Sequence, residues 1–325
     1  STKAAKGLSR RTLLKTGAAA VGAIAGSGAL TGFPTIWAKT NITLRQFGTG
    51  VSNINAIAEK CKADLGITLE MTATDSDAAA QRAVTQPDSY DIADIEYWIA
   101  KKVFPTGVLQ PMDVKKLKYY DKIVPLFING KLKADSVIAQ GTAPHTVGFV
   151  EGQGSKKFAK EPTQWMTMVP TIYNADTLGI RPDLVGRDIT SWADIMDPKF
   201  KGKTSILNIP SIGIMDAAMI MEAMGNIKYA DKGNMTKEEI DKTIEFLIKA
   251  KGDGQFRAFW KSFDESVNLM ASGEVVIQSM WSPAVAAVRS KGIACKYQPL
   301  KEGYRAWGGG LAQLDLSADQ RKLVR

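Results

Sequence analysis

The chain runs to 325 residues, with 42 Lys and Arg against 33 Asp and Glu for a net charge of +9, and it holds two cysteines and one histidine. A chain of this length can bury two cores, while so few Cys and His exclude a disulfide framework and any Cys/His metal spacing. The basic excess forms no Lys/Arg cluster with interleaved aromatics, so nothing in it speaks for nucleic acid.

Much of that excess sits at the start. Ser9-Arg10-Arg11-Thr12-Leu13-Leu14-Lys15 sets paired arginines ahead of a small, apolar, uncharged run from Thr16 to Phe33. That is the layout of an export signal, and the Gly/Ala-rich run suits a twin-arginine signal better than a Sec signal or a membrane span. Ile36-Trp37-Ala38 supplies a cleavage site, so residues 1–38 are expected to be a signal peptide and the destination periplasmic. The mature chain would have 325 less 38, or 287, residues. Loss of Lys3, Lys6, Arg10, Arg11 and Lys15 would take its net charge to 9 less 5, or +4.

From Asn41 onward short β-rich runs alternate with amphipathic helices. Strands are predicted over Ile42–Phe47, Thr68–Thr72 and Asp91–Ile95, and helices over Asn53–Leu65, Ser76–Thr85 and Tyr97–Val103. Crossover helices between parallel strands make an open, doubly wound sheet that binds ligands beyond the carboxyl ends of its strands. Those ends carry Thr49, Asp75, Ser76, Glu96, Tyr97 and Trp98. Residues 107–164 have weak periodicity and no element is predicted there, whereas Thr167–Asn174 reads as extended and suited to crossing into a second lobe.

Ser191-Trp192-Ala193-Asp194-Ile195-Met196-Asp197-Pro198-Lys199-Phe200-Lys201-Gly202-Lys203 reads as a capped helical turn, stopped by Pro198 and released by Gly202 into a strand at Thr204–Leu207. Helices follow over Ile212–Met224, Lys237–Ala250 and Phe263–Ala271, then a strand over Val275–Ser279, a helix over Pro283–Ser290 and a return crossing over Trp307–Leu314. Beyond it, Ala318–Arg325 reads as the first turn of a helix, which suggests a shortened chain with apolar surface left exposed. Cys61 and Cys295 read as small buried residues rather than a pair.

The Ser191–Lys203 stretch resembles the S-W-x-D-[LI]-x-D-P-x-[FY]-K-G segment of bacterial extracellular solute-binding proteins, especially the spermidine/putrescine-binding branch serving ABC importers. Met270–Trp281 is similar to the family's helix-Gly-Glu-Val-strand-Trp segment, and Ser89–Ala93 to its third strand. The resemblance implies an α/β, type II-like periplasmic-binding fold of two lobes joined by hinge crossings. The first lobe would span residues 39–168 with a returning segment 311–325, and the second 169–310. It also implies a small-molecule solute, an inner-membrane ABC permease as partner and a monomeric state.

Residues for catalysis are scarce. His145 has no second histidine or cysteine near it in sequence, and Gly308-Gly309-Gly310 lacks the features of a phosphate or dinucleotide loop. No cofactor and no enzyme activity are expected. The alternatives are a twin-arginine-exported periplasmic enzyme, or a metal receptor suggested by Tyr119-Tyr120.

The predicted ligand set is Thr49, Asp75, Ser76, Glu96, Tyr97, Trp165, Ser211, Trp281 and Trp307: aromatic rings near strand ends, hydroxyls at helix starts and first-lobe acids. Trp281 and Trp307 match aromatic positions of polyamine-binding relatives. Their acids do not recur, since the return crossing reads Trp307-Gly308-Gly309 and the second-lobe helix start reads Ile209-Pro210-Ser211-Ile212. A buried ammonium without a carboxylate is costly, so the sequence favours a small solute with a polar or carboxylate head read by Thr49, Ser76 and Ser211 over a long polyamine.

Overall fold

The computed structural model describes residues 42–51 and 53–314; the predicted signal segment, most of the returning segment and the turn at 318–325 lie outside the described residues. Eight principal strands form the frame: β1 (Ile42–Gly48), β2 (Ile67–Ala73), β3 (Ile92–Glu96), β4 (Val169–Ile180), β5 (Thr204–Leu207), β6 (Phe256–Trp260), β7 (Ile277–Met280) and β8 (Arg305–Leu314). The helices that matter are α1 (Asn55–Leu65), α2 (Ser76–Thr85), α3 (Tyr97–Val103), α4 (Pro210–Ala223), α5 (Lys237–Gly252), α6 (Phe263–Ser272) and α7 (Ser282–Ser290).

The strand order is β6-β5-β7-β4-β8-β3-β1-β2. At one end β1 pairs in parallel with both β2 and β3, and β8 closes the block antiparallel to β3. At the other end β5 pairs in parallel with both β6 and β7, and β4 closes the block antiparallel to β7. Each lobe therefore repeats one plan, a parallel three-stranded block sealed by a crossing strand. The two crossings pair with each other from Arg305↔Asp176 to Leu311↔Val169, so the expected pair of sheets is one continuous sheet of ten strands.

Local chemistry accounts for the elements. Asp75 caps α2 by accepting from Ala78 N at 2.8 Å. Capping boxes start α5 at Thr236/Glu239 and α6 at Ser262/Glu265, and Gly273 ends α6 at φ +78°, a conformation that suits glycine. The two largest cores of the described residues form around Phe47, Ile95, Ile99 and Phe104 and around Leu178, Trp192, Ile195 and Ile277.

The Ser191 segment ties that second core to its surface. A 3-10 turn over Trp192–Met196 carries a capping box of Ser191 with Asp194. Ser191 Oγ donates to Glu302 at 2.6 Å, and the fully buried Trp192 donates from Nε1 to Gly303 O at 3.0 Å.

Four details differ from expectation, the first being β6 (Phe256–Trp260), a strand with no predicted counterpart between the helices predicted at Lys237–Ala250 and Phe263–Ala271. Residues 107–164 hold two strands, Met112–Asp113 and Phe149–Val150, of a small antiparallel sheet completed by Trp165–Met166, each only two residues long and too short to leave a periodic trace. β4 runs on to Ile180, through Asp176 and Gly179, because β7 and β8 supply its hydrogen bonds despite poor local strand propensity. Cys61 is half-buried rather than buried, since α1 has no buried residue; Cys295 is buried, and both thiols are free. Among the described residues no helix is long and apolar enough to cross a membrane.

Candidate functional site

A cleft of about 770 Å³ opens between the lobes. Its walls are the carboxyl ends of β1 and β3, the first turns of α2, α3 and α4, the loop before α7, and the two crossings β4 and β8. Parallel strands all end on one side, so their following helix starts converge there.

Seven of the nine predicted residues line the cleft: Thr49, Ser76, Glu96, Tyr97, Ser211, Trp281 and Trp307. Asp75 and Trp165 lie outside the lining. Asp75 turns back to cap α2, and Trp165 packs against the first-lobe core from the small sheet. Tyr119 and Tyr120 also lie outside it, and no group of three or more His, Cys, Asp or Glu among the described residues could hold a metal ion.

Glu96 dominates the first-lobe wall. Its position at the end of the wholly buried strand β3 takes the carboxylate out of solvent. Oε1 accepts from Ser76 Oγ at 2.6 Å, while Oε2 is buried without a hydrogen-bond partner. Burial holds the Glu96 carboxyl above its usual range; the Ser76 bond opposes this, and Asp94 and Asp77 add to the rise.

The floor is ionic but internally matched. Arg305 on β8 reaches Asp176 on β4 at 3.0 Å and Asp216 on α4 at 2.6 Å, all three groups buried. Burial lifts Asp176 to about 6 against the pull of Arg305. Burial also opposes the charge of Arg305, but Asp216 and Asp176 together hold its guanidinium above the ordinary value. With both carboxylates on one guanidinium, Arg305 is no ready anchor for an anionic ligand.

The lobes touch across the opening. Ser211 Oγ donates to Asp77 Oδ1 at 3.0 Å, and Gly141 N donates to Asp231 Oδ2 at 2.9 Å. Trp98 of the first lobe packs against the second-lobe cluster of Leu207, Ile209, Ile212 and Trp260, as Met215 and Trp281 do, and Trp281 stands edge-on to the buried Trp260 at 4.8 Å. The glycine run has a packing reason at Gly310, where a Cβ would sit 2.7 Å from Val169 O.

Arg305, Asp176 and the apolar wall formed by Ile212, Met215 and Met219 were not predicted from sequence. α4 is apolar on nearly every side, so its composition does not tell the cleft face from the core face. A spacing of 3 and 4 between those residues is the only trace.

A family model described as bacterial extracellular solute-binding protein matches residues 56–322. The spermidine/putrescine-binding periplasmic protein of Salmonella typhimurium is 24% identical over 226 residues, which cover 69% of this chain and 53% of that protein. The chain thus spans about half the length of the curated relatives it matches. Among solved structures, the spermidine/putrescine ABC transporter substrate-binding protein of Streptococcus pneumoniae superposes with a TM-score of 0.60 at 16% identity, over 87% of this chain and 75% of that one. The Tp0655 lipoprotein of Treponema pallidum gives 0.59 at 11% identity, over 86% and 76%.

Proposed function

The chain belongs to the bacterial extracellular solute-binding proteins, and from that premise we propose that it is the substrate-binding component of an ABC importer, closing its two lobes around a small organic solute. The names of its relatives and the interlobe cleft support this reading. The partner is an inner-membrane permease and the working unit a monomer that captures solute without turning it over. Residues 1–38 act as a twin-arginine-type export signal to the periplasm. The first lobe comprises 39–168 with 311–325, and the second 169–310.

The cargo carries a cationic amine held by Glu96. The observation that carries this is the buried, unpartnered Oε2 of Glu96 in the cleft wall. An uncompensated buried carboxylate costs several kcal/mol, and an ammonium group donates directly to it. The hydroxyls that suggested a carboxylate head favour the same conclusion, because Ser76 donates to Glu96 and Ser211 to Asp77. Both protons are engaged by acids, which redirects the reading from an anionic to a cationic head.

Calorimetric titration with amines, amino acids and organic acids tests the proposal, using the wild type and Glu96→Gln. Amine-bearing solutes are expected to bind and to lose at least about tenfold in the variant, the scale of one charge-assisted hydrogen bond. Tight binding of an organic acid, unchanged by Glu96→Gln, overturns it.

A further inference from the structure

Beyond the amine head, the structure carries information about the rest of the solute. Ile212, Met215 and Met219 recur at helical spacing on α4 and all line the cleft. From Ser211 to Met219 the helix rises about 12 Å. Met235, just before α5, and Ile240 in its first turn also line the cleft, and α5 packs against α4.

The charged groups along this wall are ion-paired or hydrogen-bonded. Asp216, on the same helix, is held by Arg305, which also holds Asp176. Asp231 accepts from Gly141 N and Gly233 N, and Lys232 pairs with Glu222. Among the described residues, Glu96 is the lining carboxylate with a buried oxygen that has neither a hydrogen bond nor an ion pair. A solute with several cations would find one such partner and an apolar surface for its other charges, at a desolvation cost that nothing on the wall repays.

We propose that the cleft selects a monoamine with an apolar alkyl or aryl body, its ammonium on Glu96 and its body against Met215, Met219, Met235 and Ile240. This rests on the amine reading above and narrows it. Thioether side chains suit the task, since they adapt to irregular apolar shapes and contact aromatic rings favourably. Trp281 and Trp307 also line the cleft, and indole rings supply large apolar surfaces suited to the methylenes next to an amine.

The test is calorimetry on the full chain with butylamine, hexylamine, 2-phenylethylamine, putrescine and spermidine. Affinity is expected to rise about fourfold per added methylene from butylamine to hexylamine, with 2-phenylethylamine at least as tight as hexylamine. Met219→Ser is expected to flatten that slope. Ile240→Ser, at a half-buried position in a first helical turn, is expected to do the same and covers the case in which the Met219 variant fails to fold.

A flat slope, or putrescine or spermidine binding ten times more tightly than hexylamine, overturns the monoamine inference while leaving the amine head intact. Failure of every amine, or binding untouched by Glu96→Gln, overturns the amine reading itself and the inference with it.

Discussion

Arg305 on β8 and Asp216 on α4 are joined by a 2.6 Å contact in which both groups are buried, fastening the crossing strand to the helix that forms the apolar wall of the cleft. Because Arg305 also holds Asp176 on β4, one guanidinium connects the two hinge crossings to the second lobe. The two crossings and the apolar cleft wall are therefore mechanically one unit, and perturbing the ion cluster should be felt in both.

Removing the cation tests this most directly. Arg305→Met leaves Asp176 and Asp216 buried without a counter-charge, and a loss of about 3–5 kcal/mol is expected from breaking a buried pair by one partner. Urea denaturation would measure it. Asp216→Asn, which leaves Arg305 paired with Asp176, is expected to cost clearly less.

The cluster also makes stability depend on pH. Asp176 titrates at about 6 in the folded protein against an ordinary 3.8, so between those values the folded state binds the extra proton. Its contribution to stability is fully present at low pH, declines as pH rises through this window and is flat above it. Denaturation midpoints at pH 4.5 and 7 should show a steeper decline in the wild type than in Asp176→Asn, where the raised Glu96 carboxyl still contributes.

Amine binding should run in the opposite sense. The ligand requires ionised Glu96, whose carboxyl burial holds above its usual range. Affinity for an amine is thus expected to fall on acidification, beginning at a higher pH than an exposed glutamate would give. Calorimetry across pH 5–8 would follow it, and Glu96→Gln should leave weak binding with no such slope.

Closure has its own handle at Gly141. This residue has φ +66°, and a Cβ there would sit 2.8 Å from Gly233 Cα of the opposite lobe. Gly141→Val is expected to hold the mouth open, enlarging the radius of gyration in small-angle scattering and weakening solute binding at least about tenfold, the scale of one lost interlobe hydrogen bond with its packing. The melting temperature should fall as well, because a β-branched residue is strained at this φ, so the scattering and binding changes are compared below the melting transition.

Trp192 should matter for stability alone. It is fully buried and anchored to Gly303 O, so Trp192→Ala is expected to cost about 3–5 kcal/mol. Thermal denaturation would record it, and solute affinity in the folded fraction should be retained.

The elements most legible in sequence were those whose signals are local. α2 begins at Ser76 behind the Asp75 cap, α3 begins at Tyr97, and β5 spans Thr204–Leu207, each as its pattern predicts. Trp281 and Trp307 reach the cleft because they sit at strand ends and crossings, which periodicity locates. Asp75 was legible only as a polar residue near a helix start, and its own cap bond takes it away from the cleft. Trp165 falls in a two-residue strand whose pairing partners are far away in sequence.

By itself, the sequence determined the βα alternation of the first lobe, the capped Ser191 turn and the resemblance to solute receptors, since caps, turns and alternation act over a few residues. Tertiary structure alone decided how charge is distributed in the cleft. Whether an acid is free or matched depends on contacts between residues as distant as Asp216 and Arg305, or Asp77 and Ser211. Only folding brings such groups within hydrogen-bond reach and removes the water that would otherwise screen them. Glu96 emerges as the open carboxylate because the other acids of the cleft find their partners across the chain.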